Sequence, residues 1–213
     1  MGESTSLAQR VEAKRERIHQ AAQILFMRHG FEGASMDAIA EEAQVSKPTL
    51  YRYYRNKEAL FVAVLEQLAL HHPDARELLA FQDTPMDSLA SLEHALTLWA
   101  QMTLVNLMQP TYLGLLRLLI AEIPRFPTLG TLFVQAVPQQ GGRFLMALLE
   151  RAQAHGIIAC DDPEAAVRLF VGSLLTYVLG DGLLAADGVP HVPSPERVAT
   201  LAHMLVQAID ASS

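Results

Sequence analysis

Apolar residues recur at helical spacing along almost the whole chain. In residues 11–29 the apolar side chains Ile18, Ala22, Leu25 and Phe26 fall on one face of a helix, with the charged and polar residues largely off it. This period of 3.6 residues predicts an amphipathic helix and not a strand. Because similar patterns continue to the C-terminus, separated by Gly, Pro and Ser positions, the predicted fold class is all-α.

Two short helices joined by a tight turn are predicted after the first helix. Ser35 can cap the first of the two and Ser46 the second, because a serine hydroxyl accepts a hydrogen bond from the free backbone N–H groups of a helix start. Pro48 falls in the first turn of the later helix, where its missing N–H costs nothing. The link Gln44-Val45 between them is short. The pair therefore has the form of a helix-turn-helix.

The chain beyond residue 57 is mostly apolar and carries few charges. A predicted helix from Ser88 to Met108 has one charge, Glu93, and shows apolar residues on two faces, as expected for the centre of a helical bundle. Further helices are predicted over residues 112–123, 128–155 with an interruption near Pro138 and a bend at Gly141-Gly142, 165–186 with Asp162 as cap, and 195–209. The predicted domains are a flexible tail over residues 1–9, a helix-turn-helix domain over 10–57 and a C-terminal bundle over 58–213.

Charge is divided unevenly between the two ends of the chain. Residues 1–60 hold nine Lys and Arg against eight Asp and Glu, whereas the remainder holds seven against fifteen. All three lysines, Lys14, Lys47 and Lys57, lie in the first part. This asymmetry favours binding of a polyanion at the N-terminal end, although a solvated helix face would show it too.

Cysteine usage and hydropathy place the protein in the cytoplasm. The single cysteine, Cys160, excludes an intramolecular disulfide and suits a reducing compartment. The N-terminus has no apolar core of a signal peptide, and the apolar run at residues 169–180 is shorter than the ~20 residues that a membrane span requires. We therefore expect no membrane partner. Redox sensing through Cys160 is an open alternative.

The stretch 46–57 combines four basic residues with three tyrosines and contains no acidic residue. Together with its flanks it resembles the N-terminal domain of the tetracycline-repressor (TetR) family of bacterial transcription regulators. The matching residues are Ile18-x-x-Ala21-Ala22-x-x-Leu25-Phe26, Gly30-Phe31-x-Gly33, Ser35-Met36-x-x-Ile39-Ala40 and Val45-Ser46-Lys47-Pro48-Thr49-Leu50-Tyr51-x-Tyr53-Tyr54-x-Asn56-Lys57-Glu58-x-Leu60. The shorter run 117–127 resembles the AcrR-like branch of the same family.

This resemblance implies roles for individual residues in binding double-stranded DNA. Lys47, Pro48, Thr49, Tyr51 and Tyr53 are expected to face the major groove and the nearby backbone, with Ser35 and Lys57 clamping phosphates. Asp37 departs from some relatives at the start of the second helix and is expected to repel phosphate. Tyr54 is assigned to packing.

The C-terminal bundle is expected to bind an effector and to dimerise. Polar groups in an apolar wall are what a ligand pocket needs, although plain core packing explains them equally well. The candidate effector residues, taken from composition, are Trp99, Met102, Asn106, Met108, Tyr112, Phe133, Phe144 and Tyr177. By resemblance, the last two helices pair with their copies in a homodimer, and the candidates are Val171, Leu174, Leu175, Val178, Leu179, Leu201 and Leu205. Burial within one chain is the alternative.

The sequence thus predicts a dimeric repressor that binds a pseudo-palindromic operator and is released by a small apolar or aromatic effector of unknown identity. A constitutive DNA-binding protein without an effector is a rival interpretation. An enzyme is another, but no G-x-S-x-G, H-E-x-x-H, C-x-x-C or Walker pattern occurs, and His71-His72 lacks metal-pair spacing. We therefore expect no catalytic residue, no cofactor and no metal site.

Overall fold

The computed structural model describes residues 2–70 and 86–210, with side chains described from residues 10 to 69 in the first range. Within these ranges the chain is helical, and its β-structure is one isolated bridge between Ile158 and Asp210. The first helices are α1 (Gly2–Gly33), α2 (Met36–Glu42), α3 (Lys47–Tyr53) and α4 (Lys57–Leu70). They are followed by α5 (Leu89–Leu107), α6 (Pro110–Glu122), α7 (Pro127–Ala136), α8 (Pro138–Ala154), α9 (Pro163–Tyr177), a π-helix (Val178–Leu183) and α10 (Pro195–Ala208). The all-α prediction is confirmed.

The chain divides into two compact units, and the division differs from the predicted domains. Unit 1 holds the residues up to Gln67 together with Gly114–Ala136, and unit 2 holds Leu68–Leu113 together with the residues from Val137 onward. The predicted boundary after residue 57 therefore falls inside unit 1. The physical reason is that α4 supplies core side chains of the N-terminal unit, among them Phe61, which is fully buried.

The core of unit 1 is built around three phenylalanines. The Phe26 and Phe61 rings meet edge to face with centroids 4.8 Å apart, and Phe31 meets Phe61 at 5.3 Å. Phe31 reaches this cluster because Gly30 interrupts α1 with φ +71°, a left-handed conformation that glycine adopts without steric cost. The sequence predicts a helix over residues 11–29, and the interruption at Gly30 agrees with the end of that helix.

The segment Gly114–Ala136 packs on this core although it lies far away in the sequence. Phe126 meets the Phe31 ring at 5.3 Å, and Arg125 Nη2 pairs with Glu32 Oε1 at 2.6 Å. A Cβ atom at residue 114 would lie 2.7 Å from the Met27 side chain, so the glycine there allows α6 to approach α1 closely. These contacts explain why the segment belongs to unit 1.

Unit 2 is centred on α5, against which α10 packs along its length. Leu92, Leu96 and Leu104 of α5 are fully buried, in agreement with the prediction of a central helix. A Cβ atom at Gly141 would lie 3.3 Å from the Trp99 ring, so this glycine gives α8 room beside α5. The predicted bend at Gly141-Gly142 is wrong, because both glycines lie inside α8; the interruption occurs at Val137, before Pro138.

Other predicted boundaries can be compared directly with the helices. Helix α1 continues back to Gly2, through the residues expected to form a tail. Asp162 caps α9 as expected, and Ser194 caps α10. The sequence also predicts a helix end at Pro73 and a break at residues 82–86, and residue 73 and residues 82–85 lie outside the described residues.

One described stretch, Pro163–Leu183, is long and apolar enough to cross a membrane, with 33% of its most apolar window buried. Helices α5 and α6 reach the length and hydropathy of a membrane span only when they are taken together, and they meet at a bend of 72°. Core helices of soluble proteins reach the same length and hydropathy, so these two properties are weak evidence for a membrane span. The exposed part of Pro163–Leu183 is an apolar face that requires an explanation.

Candidate nucleic-acid interface

Helices α2 and α3 and the turn between them form a helix-turn-helix held by local hydrogen bonds. Ser35 Oγ accepts from the Ala38 N–H at 3.1 Å, and Ser46 Oγ accepts from the Thr49 N–H at 3.3 Å. In the turn the Val45 N–H donates to the Ala40 carbonyl at 2.9 Å. Gln44 takes a positive φ of 54° there. Both predicted serine caps and the tight turn are confirmed.

Helix α3 has one buried side and one solvent side. Leu50 is fully buried and Tyr54, which caps the C-terminal end, is nearly so. On the other side Tyr51 is 50% exposed. Of the other candidates for groove contact, Lys47 and Pro48 are exposed, whereas Thr49 and Tyr53 are half-buried. The structure therefore exposes Lys47, Pro48 and Tyr51 on α3, whereas Thr49 and Tyr53, the last residue of the helix, are partly covered.

Lys47 is engaged by an acidic residue of the preceding helix. Its Nζ lies 2.6 Å from Oδ2 of Asp37, and the two side chains are 60% and 58% exposed. Sequence reasoning expected Asp37 to repel phosphate but did not foresee this ion pair. The two positions are ten residues apart, and only the helix-turn-helix geometry brings them into contact.

Lys57 makes contacts within unit 1 that the sequence did not predict. Its Nζ donates to the backbone carbonyls of Glu32 at 3.2 Å and Ala34 at 3.0 Å, and lies 4.5 Å from the centroid of the Phe31 ring. The ammonium therefore satisfies carbonyls at the end of α1 and makes a cation–π contact. A phosphate contact of Lys57 stays a prediction, since these bonds already use part of its donor capacity.

Replacement of Lys57 by alanine is expected to lower the free energy of unfolding by about 1–2 kcal/mol, because two carbonyls lose a charged donor. Urea denaturation followed by circular dichroism measures the loss. Lys47→Ala is the matched control, since it removes a lysine whose described ion pair is exposed and contributes little to stability. Equal stability of the two variants would contradict the structural role of Lys57.

A polar network connects the end of α3 to α1 and α4. His19, 7% exposed, is hydrogen-bonded through Nε2 to the Tyr54 hydroxyl and through Nδ1 to Gln67 Oε1. Gln67 in turn donates to Glu16 Oε2 at 2.7 Å. Burial raises the pKa of the Tyr54 phenol, and a hydrogen bond with Arg15 partly opposes that rise. Sequence reasoning assigned Tyr54 to packing and missed the network, although a histidine beside Ile18 on the buried face of α1 was a visible signal.

The candidate effector residues do not all belong to the same unit. Phe133 belongs to unit 1, and the other candidates belong to unit 2. There the Trp99 ring lies 6.3 Å from that of Phe144 and 6.4 Å from that of Phe170, a residue the sequence missed. Asn106 donates to the Ala69 carbonyl at 3.2 Å, and burial raises the pKa of the Tyr112 phenol. Met102 and Met108 are buried and Tyr177 is half-buried.

A separate cavity of about 420 Å³ lies in unit 2. It is lined by Gln101, Leu104 and Val105 of α5 and by Val192, Pro193, Ser194, Pro195 and Val198 at the start of α10. None of the predicted effector residues lines this cavity. Gln101 is the polar side chain of α5 in this lining, and its Nε2 donates to the Pro195 carbonyl at 3.4 Å.

The candidate dimer residues divide between the core and the surface. Leu174, Val178 and Leu205 are buried within the single chain, so they are core residues of unit 2 and their assignment to an interface needs correction. Leu175 and Leu179 are exposed, and Val171 and Leu201 are half-buried. The sequence missed Leu169 and Met204, which are 67% and 63% exposed.

The described residues hold no group of three His, Cys, Asp or Glu side chains placed to bind a metal ion. His71-His72 lies outside the described residues. Cys160 is half-buried in unit 2.

Comparison with known proteins gives two family matches. Residues 18–64 match the bacterial regulatory proteins of the tetR family, and residues 94–209 match the C-terminal domain of AefR-like transcriptional repressors. The second match covers more than half of the chain.

Individual relatives agree with both matches. The chain is 49% identical over 59 residues to the transcriptional repressor SCO4008 of Streptomyces coelicolor, covering 28% of this chain and 31% of the relative. It is 47% identical over 58 residues to the regulator RutR of Escherichia coli K12, covering 27% of each. The matched region thus spans less than a third of these curated relatives. The solved structure of the flavonoid-responsive regulator FrrA is similar over 94% of this chain and 98% of that one, at 30% identity and a TM-score of 0.63.

Proposed function

Because this chain belongs to the TetR family and is a DNA-binding transcriptional regulator and not an enzyme, we propose that it is a cytoplasmic homodimeric repressor released from its operator by a small apolar or aromatic effector. Regulators of this family bind DNA operators and typically act as dimers. A dimer with two helix-turn-helix units suits a pseudo-palindromic operator, because two α3 helices then enter successive major grooves.

The exposed outer side of α3 is the observation that supports the operator contact. Lys47, Pro48 and Tyr51 are accessible on α3, while Leu50 and Tyr54 hold the opposite side in the core of unit 1. A cation for phosphate and an aromatic hydroxyl for bases or backbone thus stand together on a rigid element. Thr49 is half-buried, and its Oγ1 lies 2.8 Å from Ser46 Oγ. The Thr49 hydroxyl would therefore make a hydrogen bond to DNA in addition to, or in place of, its hydrogen bond to Ser46.

Lys47→Ala is expected to weaken binding to DNA upstream of the protein's own reading frame by about 5- to 30-fold, because a lost phosphate contact costs about 1–2 kcal/mol. Fluorescence anisotropy across a salt series measures the affinity. Arg143→Ala removes an exposed cation from α8 in unit 2 and is the matched control. Wild-type affinity of Lys47→Ala, with Arg143→Ala unchanged, would remove Lys47 from the interface.

The aromatic cluster of unit 2 supports an aromatic effector. Trp99, Phe144 and Phe170 bring three rings together, and a planar ligand that entered unit 2 beside them could stack on an aromatic ring. The similarity to FrrA, which is described as flavonoid-responsive, points in the same direction. By binding one conformation of the dimer more tightly, an effector would shift the population away from the DNA-binding form.

A panel of flavonoids and simpler phenols is expected to quench the fluorescence of Trp99, the single tryptophan, and to dissociate the protein–DNA complex over the same concentration range. Titrations of fluorescence and of anisotropy measure the two effects in parallel. Benzoate-sized acids and straight-chain alcohols serve as comparison ligands. Release of DNA by none of a broad ligand library would favour a constitutive DNA-binding protein.

An exposed apolar face on α9 and α10 supports the homodimer. Leu169, Leu175 and Leu179 recur on the outer side of the α9 and π-helix stretch, and Met204 lies exposed on α10. Exposed apolar residues that recur on a helix face are typical of a site of protein association. Pairing with the same face of a second copy would bury both.

A further inference from the structure

The ion pair between Asp37 and Lys47 joins the first turns of α2 and α3. Lys47 Nζ and Asp37 Oδ2 are 2.6 Å apart, within the range of a charge-assisted hydrogen bond. Both side chains are more than half exposed, so a DNA phosphate can reach the ammonium, but it meets an ammonium that is already paired with Asp37. The cation proposed to bind DNA is thus neutralised by its own chain in the absence of DNA.

Asp37 is held at this position by its own helix. It lies in the first turn of α2, which Ser35 caps by accepting the Ala38 N–H. Free backbone N–H groups at a helix start stabilise a negative charge beside them. The cap therefore fixes the backbone that carries Asp37 within reach of Lys47.

We propose that Asp37 competes with DNA phosphate for Lys47 and thereby lowers the affinity of the helix-turn-helix for any duplex. The inference rests on the proposed contact between Lys47 and DNA. When Lys47 turns from Asp37 to a phosphate, the carboxylate loses its partner and repels the phosphate at short range. Both effects oppose binding, and neither depends on base sequence.

The competition also has a signature in the salt dependence of binding. Each phosphate neutralised by a protein cation releases condensed counterions and adds about 0.9 to the slope of log affinity against log salt. A carboxylate freed at the same moment takes up a cation and offsets that release. Removing the Asp37 charge should therefore steepen the slope by up to about 1.

Asp37→Asn tests the proposal in the full-length chain, because asparagine keeps the shape of the side chain and is compatible with a helix start. The control is Glu41→Gln, which removes the same charge from an exposed position in the last turn of α2. Lys47→Ala and the double variant Asp37→Asn with Lys47→Ala complete a thermodynamic cycle. Anisotropy with the upstream DNA and with a random-sequence duplex, from about 0.05 to 0.3 M salt, measures affinity and slope.

The expected result is that Asp37→Asn binds both duplexes roughly 3- to 10-fold more tightly at low salt and with a steeper slope. Glu41→Gln should change both quantities less, and the gain should disappear in the Lys47→Ala background. Weaker or unchanged binding by Asp37→Asn, with Lys47→Ala impaired, would overturn the competition and make Asp37 a residue that orients Lys47. Wild-type binding by Lys47→Ala would overturn the proposed DNA contact itself.

Discussion

Replacing Leu175 and Leu179 together with glutamate is expected to convert the protein to a monomer and to weaken operator binding by about a thousandfold or more. The two leucines are 46% and 53% exposed in the single chain, so glutamate can be accommodated there without a cavity or a buried charge. In a paired interface the same carboxylates would be desolvated without partners. A monomer contacts one half-site and loses the second set of phosphate and base contacts. Analytical ultracentrifugation and anisotropy measure the two effects.

The matched control replaces two equally exposed apolar residues of unit 1, Ile120 and Val134, with glutamate. This variant is expected to remain a dimer, because it adds the same charge outside the proposed interface. If the Leu175 and Leu179 variant also sedimented as a dimer, the interface would have to lie on another face. A monomer with undiminished affinity for DNA would remove dimerisation from the mechanism.

The local elements of this fold were predictable because short-range rules decide them. Ser35 and Ser46 each accept a backbone N–H three residues ahead, as the sequence predicts, and Asn56 accepts the Ala59 N–H in the same way. Gly30 adopts the left-handed φ that its position after a long helix requires. Such features depend on a few neighbouring residues, so one sequence contains the information.

The division into units was not predictable, because it depends on contacts between distant residues. Phe126 packs against Phe31, and Gly114 gives Met27 the room it needs. Neither pair has a spacing that any local rule detects. The helix period shows that residues 114–136 are apolar on one side but does not say which unit covers that side.

The outward positions of the candidate DNA-binding residues were predictable from the sequence, but the residues that they contact within the chain were not. The outward positions of Lys47 and Tyr51 follow from the inward positions of Leu50 and Tyr54. The contacts of Lys47 and Lys57 within the chain could not be deduced, because the residues that each lysine contacts lie outside its own helix. A lysine in a matching motif was therefore read as a phosphate ligand, whereas the structure gives Lys57 backbone carbonyls and an aromatic ring.

Burial within one chain and burial against a second chain produce the same apolar pattern. Leu174 and Val178 were predicted as interface residues together with Leu175 and Leu179, yet the first two are core residues of unit 2. Helical periodicity identifies apolar faces, and the three-dimensional structure is needed to decide which neighbour covers each of them. Leu169 and Met204, omitted from the predicted set, are more exposed than any member of it.

Replacing Phe61 with alanine is expected to lower the free energy of unfolding by about 3–5 kcal/mol, because the variant leaves a cavity between Phe26 and Phe31 and removes two edge-to-face ring contacts. DNA affinity should fall with it, since this core supports α3. Urea unfolding followed by circular dichroism reports on the helices of the whole chain, whereas Trp99 fluorescence reports on unit 2. The destabilised unit 1 should unfold at lower urea concentration than unit 2, and this early transition should be weaker in the Trp99 signal than in the circular dichroism signal. Phe133→Ala, which truncates a half-buried phenylalanine of the same unit, is the control and should cost less. A Phe61→Ala variant as stable as Phe133→Ala would show that the three-ring cluster is not the main support of unit 1.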